Sequence, residues 1–207
     1  MTNILYLTSS PNGSQSYSNR VAERLLDELR GNHPDASIKH RDLARDLLPH
    51  IDEDFVHATR DPAGPRTQRQ RDLLARSDAL VDELLAADFV VIATGMINFS
   101  IPSTLKAWID QVARAGRTFS YSESAPRGLA TGKQVALIVA RGGIYSGDMA
   151  PMDFQVPYLQ KVLAFMGMTD LHLFEVEGTA YGVETAEKAV EAAVGKIARR
   201  CAEAAAA

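Results

Sequence analysis

The sequence predicts a doubly wound α/β domain: a five-stranded parallel sheet of strand order 2-1-3-4-5 with helices on both faces. Three observations predict it. Short apolar runs alternate with amphipathic runs from end to end, the pattern of successive βα units. Residues 89–93 and 135–139 are apolar without alternation and rich in β-branched side chains, as central strands buried on both faces should be. The chain has 207 residues and 46% hydrophobic composition, and no repeat or linker divides it, so one sizeable core suits it better than two small ones.

The elements follow in order. Residues 4–7 read as the first strand, and Val21, Ala22, Leu25, Leu26 and Leu29 form the stripe of a first helix that ends near Gly31 and Pro34. Residues 38–43 make a weaker, edge strand. The clearest helix carries Leu73, Leu74, Ser77, Leu80, Val81, Leu84 and Leu85 on one face and delivers the chain into the strand at 89–93. The next has Pro102 near its first turn, where a missing N–H costs little, and Leu105, Trp108, Ile109 and Val112 on one side. After the strand at 135–139, Pro157 opens a helix through Leu159, Val162, Leu163 and Met166, stopped by Gly167. A last strand at 171–176 precedes a final helix from about residue 184, whose charged residues form a solvated face. Five strands and five major helices result. In this arrangement the ligand crevice lies outside the carboxyl ends of strands 1 and 3, where the winding reverses.

Bulk chemistry removes several function classes. The formal net charge is −4 with no dense run of Lys or Arg, which argues against a nucleic-acid or anionic-membrane binder. No stretch approaches ~20 apolar residues, so no membrane span is expected. The N-terminus has no signal-peptide pattern, which makes a cytoplasmic location the expectation. The single cysteine, Cys201, permits no intramolecular disulfide and reads as a half-buried hydrophobe in a helix. His33, His40, His50, His57 and His172 are scattered without metal-ligand spacing. No serine stands in the Gly-x-Ser-x-Gly setting of a hydrolase, and no residue presents itself as an obligatory nucleophile.

Three loops remain at the switch point. Residues 8–19, Thr-Ser-Ser-Pro-Asn-Gly-Ser-Gln-Ser-Tyr-Ser-Asn, lead into a helix, and free N–H groups there with serine hydroxyls can bind a phosphate without lysine. The loop is neither a Gly-Lys-Ser/Thr phosphate loop nor a Gly-x-Gly-x-x-Gly turn. Its plainer reading is ordinary capping. Residues 94–102 carry Met96, Ile97 and Phe99 where polar turn residues are normal; they suit the face of a flat aromatic ligand, with Asn98 at its polar edge, unless the loop tucks into the core. Ala140, Arg141, Gly142 and Gly143 follow the fourth strand, where paired glycines let the backbone approach a ligand or make a plain turn. Arg141 fits either a substrate contact or a structural ion pair.

These residues carry a resemblance to a known family. Ser9-Ser10 with Ser16 to Asn19, Met96 to Phe99, Leu105-Lys106 with Trp108 and Asp110, Ala113 to Gly116, Thr118 to Tyr121, Gly128-Leu129, Thr131 to Lys133, Arg141 to Ile144 and Gly178 to Gly182 occur in order along nearly the whole chain. In these the sequence resembles the FMN-dependent NADH azoreductases, or NADH:quinone oxidoreductases, of flavodoxin-like fold. The resemblance implies that Ser10, Ser16, Tyr17 and Ser18 hold the FMN phosphate, that Met96, Ile97, Asn98 and Phe99 line the ring, and that Ala140, Arg141, Gly142 and Gly143 close its other side. It also implies a homodimer with active sites at the interface. Phe119, Tyr121, the loop after Pro49 and the segment around Phe55 and Val56 would then shape a shared substrate pocket, together with Ile144. Three departures stand out: Gly95 and Ile97 where the family has Pro and Tyr, Ala140 where it has Ser, and a Pro11-Asn12-Gly13 turn in the first loop.

The implied chemistry belongs to the cofactor. Hydride passes from NADH or NADPH through bound FMN to a small aromatic acceptor in the same pocket, which predicts ping-pong kinetics, two-electron reduction of quinones and cleavage of azo bonds in two rounds. The competing readings are a flavodoxin-type electron carrier without substrate turnover of its own, and a flavin-free binding module.

Overall fold

Strand β1 (Asn3–Thr8) sends Ile4 and Tyr6 to one side of the sheet and Leu5 and Leu7 to the other, and all four are buried. Alternation of side chains along a strand makes an apolar run two-sided. The computed structural model of the chain describes residues 1–60, 64–122 and 125–205. After β1 come α1 (Tyr17–Asn32), β2 (Ser37–Asp42), α2 (Glu53–Arg60), α3 (Gln68–Ala86), β3 (Phe89–Gly95), α4 (Ser103–Val112), β4 (Phe119–Tyr121), β5 (Pro126–Gly128), β6 (Gln134–Ala140), α5 (Val156–Phe165), β7 (Asp170–Val176) and α6 (Val183–Ala205). Short 3-10 turns lie at Gly13–Gln15 and Gly147–Met152.

The main sheet is β2-β1-β3-β6-β7 with every pairing parallel. Counted over its own strands this is the expected order 2-1-3-4-5, with β2 at the edge. One face packs Leu5, Leu7, Val90, Ile92 and Leu137 against α3, α4 and α5 through Leu80, Leu84, Trp108, Leu159 and Leu163. The other packs Ile4, Tyr6, Val91, Ala93 and Ile138 against α1 and α6 through Val21, Leu26, Ala193 and Ile197. Each fully buried Leu, Ile or Val side chain stabilises the fold by about 1.5–3 kcal/mol. Helix α3 begins at a capping box in which the Thr67 hydroxyl and the Gln70 amide each accept the other's backbone N–H. No described helix is long and apolar enough to cross a membrane.

Two elements lie outside the sequence expectation of five strands and five helices. Helix α2 has only eight residues and buries only Phe55 and Ala58, too short a stripe to show a period. Its start is nevertheless marked: Asp52 Oδ1 accepts the Phe55 N–H at 2.9 Å. The antiparallel β4–β5 hairpin pairs three residues with three, Phe119 opposite Gly128. It is anchored at the end of the main sheet where strands begin. Ala130 N–H donates to the Met166 carbonyl at the end of α5 (2.8 Å), and Lys133 Nζ donates to the Leu85 and Ala87 carbonyls at the end of α3 (both 2.7 Å).

Candidate functional site

The parallel register brings three loops together at the carboxyl edge of the sheet. Gly95 lies beside Ala140 and Ala140 beside Val176, so β3, β6 and β7 end at one level, and β1 ends two residues earlier with Thr8 beside Ala93. The loops are also tied directly. Ser9 N–H donates to the Ala93 carbonyl (3.1 Å), Ser9 Oγ to Thr94 Oγ1 (2.8 Å), and Met96 N–H to the Ala140 carbonyl (2.9 Å).

The first loop ends at the N-terminus of α1. Ser16 is the N-cap; its Oγ accepts the Asn19 N–H at 3.4 Å and lies 3.0 Å from Ser18 Oγ. Ser10 Oγ accepts the Asn12 N–H at 3.4 Å. The backbone N–H groups of Ser10, Tyr17 and Ser18 have no acceptor among the described residues, and the last two head a helix of 16 residues. Orphan donors with an aligned helix dipole form an anion site. Tyr17 contributes through its backbone, since its ring lies under the Arg20 guanidinium, 5.5 Å from it.

The second loop is a tight turn. Ile97 and Ser100 exchange both N–H···O=C bonds (2.9 and 3.0 Å), and the residues between them, Asn98 and Phe99, have φ of +47° and +69°. Asn tolerates this left-handed region, whereas Phe there is strained by about 1–3 kcal/mol. The reading of a loop tucked into the core is corrected by exposure of 44% at Ile97 and 41% at Phe99. The turn stands up from the sheet edge with its apolar side chains outward, and its outer side walls a cavity of about 500 Å³ with Ser103, Lys106 and Tyr158. Burial raises the Tyr158 hydroxyl above its ordinary pKa.

The third loop is clamped from behind. The carbonyls of Arg141, Gly142 and Gly143 accept the N–H groups of Thr179 (3.1 Å), Ala180 (3.0 Å) and Gly178 (3.0 Å). With its carbonyls held by that segment, the loop leaves the N–H groups of Gly142 and Gly143 without an acceptor among the described residues. A Cβ on Gly142 would meet only the Ala180 methyl at 3.5 Å, and one on Gly143 only the Tyr145 ring at 3.4 Å. Neither glycine is required by internal packing. The 178–182 motif, which carries no assignable role in the sequence, therefore positions these donors.

The Arg141 side chain is engaged in ion pairs within the subunit. The residue is 2% exposed; Nη1 pairs with Asp153 at 2.6 Å, Nη2 with Glu175 and with Glu177 at 3.3 Å, and the Tyr145 ring covers it at 5.6 Å. Its N–H donates to Val176 and its carbonyl accepts from Thr179, so the ion-pair reading of Arg141 stands. The Ala140 carbonyl is likewise taken by Met96. Ile144, 45% exposed, borders the loop.

Phe119 and Tyr121 are not brought to this crevice. They lie on the hairpin at the opposite end of the sheet, Phe119 buried against Phe165 (4.5 Å) and Tyr121 73% exposed. Within one subunit they cannot line the same pocket as Asn98. Phe55 is buried beside Arg114, whose guanidinium lies 5.9 Å from its ring. Among residues that the sequence reading did not single out, Phe154 (57% exposed) continues the apolar rim beyond Phe99, to whose carbonyl its N–H donates, and Met149 and Met152 are exposed just before it in the chain. Met149 and Met152 sit in a 3-10 segment without periodicity, and Phe154 follows it outside any regular element. A separate, mostly apolar cavity of about 290 Å³ lies at the other end of the sheet, between α1 and α6 beside Cys201, away from all three loops. No group of three His, Cys, Asp or Glu residues able to hold a metal occurs among the described residues.

The crevice therefore offers a helix N-terminus for a phosphate, an apolar turn for a planar ring and a row of free N–H groups for the ring's polar edge. FMN fits this donor set. Comparison with known proteins points the same way. The profile of a protein family described as a flavodoxin-like fold matches residues 2–201. An "FMN-dependent NADH:quinone oxidoreductase" from Agrobacterium fabrum is 52% identical over 198 residues, 95% of this chain and 97% of the relative. The crystal structure of an azoreductase from Bacillus anthracis superposes with a TM-score of 0.90 at 29% identity, covering 97% of this chain and 99% of that one. A FMN-dependent NADH-azoreductase from the same species, solved in complex with FMN, gives 0.87 at 25% identity, covering 97% and 100%.

Proposed function

From its membership of the flavodoxin-like FMN-dependent NADH:quinone oxidoreductases, the family to which this chain belongs, we propose that it is an FMN-dependent enzyme that oxidises NADH and reduces quinones by two electrons. Aromatic azo compounds, cleaved in two rounds, are the second acceptor class, supported by the azoreductases that share its fold at 29% identity. The observation that carries the reading is the convergence of the unpaired N–H groups of Tyr17, Ser18, Gly142 and Gly143 on one crevice bordered by Ile97 and Phe99.

Bound FMN supplies the hydride chemistry. The chain supplies position and field. The N–H groups of Tyr17 and Ser18, with the Ser10 and Ser16 hydroxyls, hold the phosphate against the α1 dipole. The unpaired N–H groups of Gly142 and Gly143 would hold the polar edge of the ring and supply fixed donors for negative charge there. Met96, Ile97 and Phe99 form an apolar wall that excludes water from the reacting face. One open face serves donor and acceptor in turn, so the kinetics are ping-pong.

The site is shared between two copies of the chain. Tyr121 projects, 73% exposed, from a hairpin at the far end of its own subunit, and a second copy can bring that ring to the crevice. Steady-state turnover tests the proposal: purified protein with FMN, NADH and menadione or methyl red consumes NADH without any other reductase. An electron carrier turns over neither acceptor until a separate reductase is added, and that result overturns the proposal.

A further inference from the structure

Arg141 is 2% exposed with both Nη atoms paired, and its ion pairs converge on the turn that borders the crevice. Its Nη1 holds Asp153 Oδ2 at 2.6 Å, while Asp153 Oδ1 accepts the N–H groups of Gln155 (2.9 Å) and Val156 (3.0 Å) and so caps α5. Phe154, fixed between these contacts, donates its N–H to the Phe99 carbonyl at 3.0 Å. Phe99 is the residue at φ +69°, a conformation that persists only where surrounding contacts over-determine it. On the other side Nη2 pairs with Glu177, whose Oε1 accepts the Tyr145 N–H at 2.7 Å, and the Tyr145 ring meets Phe99 edge-on at 6.4 Å.

We propose that Arg141 is a positioning residue: through Asp153 it seats Phe154 so that the Phe154 N–H clamps the Phe99 carbonyl and keeps the 97–100 turn in its left-handed form. The consequence for function, which rests on the FMN reading, is that this buried ion pair sets the wall against which the acceptor stacks. With the clamp in place, the Asn98 and Phe99 N–H groups, which have no acceptor among the described residues, stay aimed away from the turn's own carbonyls. Without it Phe99 returns toward an ordinary φ, and the ring and both donors move together.

Asp153→Asn separates positioning from capping, because the amide oxygen still caps α5 while the anion facing Arg141 is gone. Glu175→Gln is the control: it also removes a carboxylate from Arg141 but leaves the route through Asp153 intact. In flavin-free protein, Phe154 amide exchange in D153N is expected to speed up by about 3- to 10-fold, the factor for one lost hydrogen bond, and in E175Q to stay near wild type. In FMN-loaded protein, D153N is expected to change the visible circular dichroism of the flavin and raise the menadione KM by a similar factor, with a smaller change in kcat. Equal responses of the two variants in all three readouts, or wild-type behaviour of D153N, overturn the proposal. If D153N does not accumulate, Asp153→Ser, whose hydroxyl keeps an acceptor for the cap, is read by the same criteria. Failure of wild-type protein to bind FMN refutes the functional reading alone, since the exchange experiment needs no flavin.

Discussion

Substitution of Gly128 by Ala probes the anchoring of the β4–β5 hairpin, and its size follows from the backbone geometry. A Cβ at Gly128 would lie 2.2 Å from Gly167 N and 2.3 Å from Gly167 Cα, far inside contact distance and against atoms that cannot rotate aside. Gly167 has itself a φ of +101° and closes α5, so it cannot shift without disturbing the helix end. Relief requires the hairpin to move away by roughly an ångström, which breaks the bond from Ala130 N–H to Met166 (2.8 Å). One lost hydrogen bond at about 1 kcal/mol, with about 1–3 kcal/mol for the overpacked contact, gives roughly 2–4 kcal/mol. For a chain of this size that corresponds to a fall in Tm of roughly 10 °C. The assay is thermal unfolding followed by circular dichroism, with the menadione KM measured on the same preparation. Because Tyr121 rides on the hairpin, KM rises while FMN affinity changes little. A Tm within 2 °C of wild type would show that the two backbones do not meet and refute the reasoning.

Ser77→Ala leaves the Gln111 carbonyl and Arg114 Nη1 without the hydroxyl that both meet at 2.6 Å, and costs about 1–3 kcal/mol in urea unfolding. Ser16→Ala removes the α1 N-cap, lowers stability by about 1 kcal/mol and weakens FMN binding, read by flavin fluorescence. Burial, and then the Glu28 carboxylate, hold the Cys201 thiol above its ordinary pKa, so iodoacetamide at pH 8 reacts with native protein more slowly than with urea-unfolded protein; equal rates contradict this. The same shift has a sign in stability. The unfolded thiol releases its proton first, so the contribution of Cys201 is full below the ordinary thiol pKa and declines as pH rises through it, and a Cys201→Ala variant loses less stability across that range.

The sheet was legible because burial on two faces imposes composition on strands, and residues 89–93 and 135–139 show it without alternation. The helices were legible where a stripe ran through several turns. The hairpin was not, since three residues per strand with Pro126 among them carry no period. At the site, serines before a helix and a Gly-Gly after a strand were readable from position in the fold. The left-handed turn was hidden, because such turns are signalled by Asn-Gly and here Phe99 occupies the second position. The role of Arg141 was open in the sequence for a different reason: its partners Asp153, Glu175 and Glu177 come from segments that only folding brings together.

The most direct test of the account is the visible spectrum of protein purified with added FMN and freed of excess flavin, followed by anaerobic titration with NADH. The crevice formed after β1, β3 and β6 predicts one FMN per chain, bleached by one equivalent of NADH. A colourless protein, or a bound flavin that NADH leaves oxidised, would contradict it.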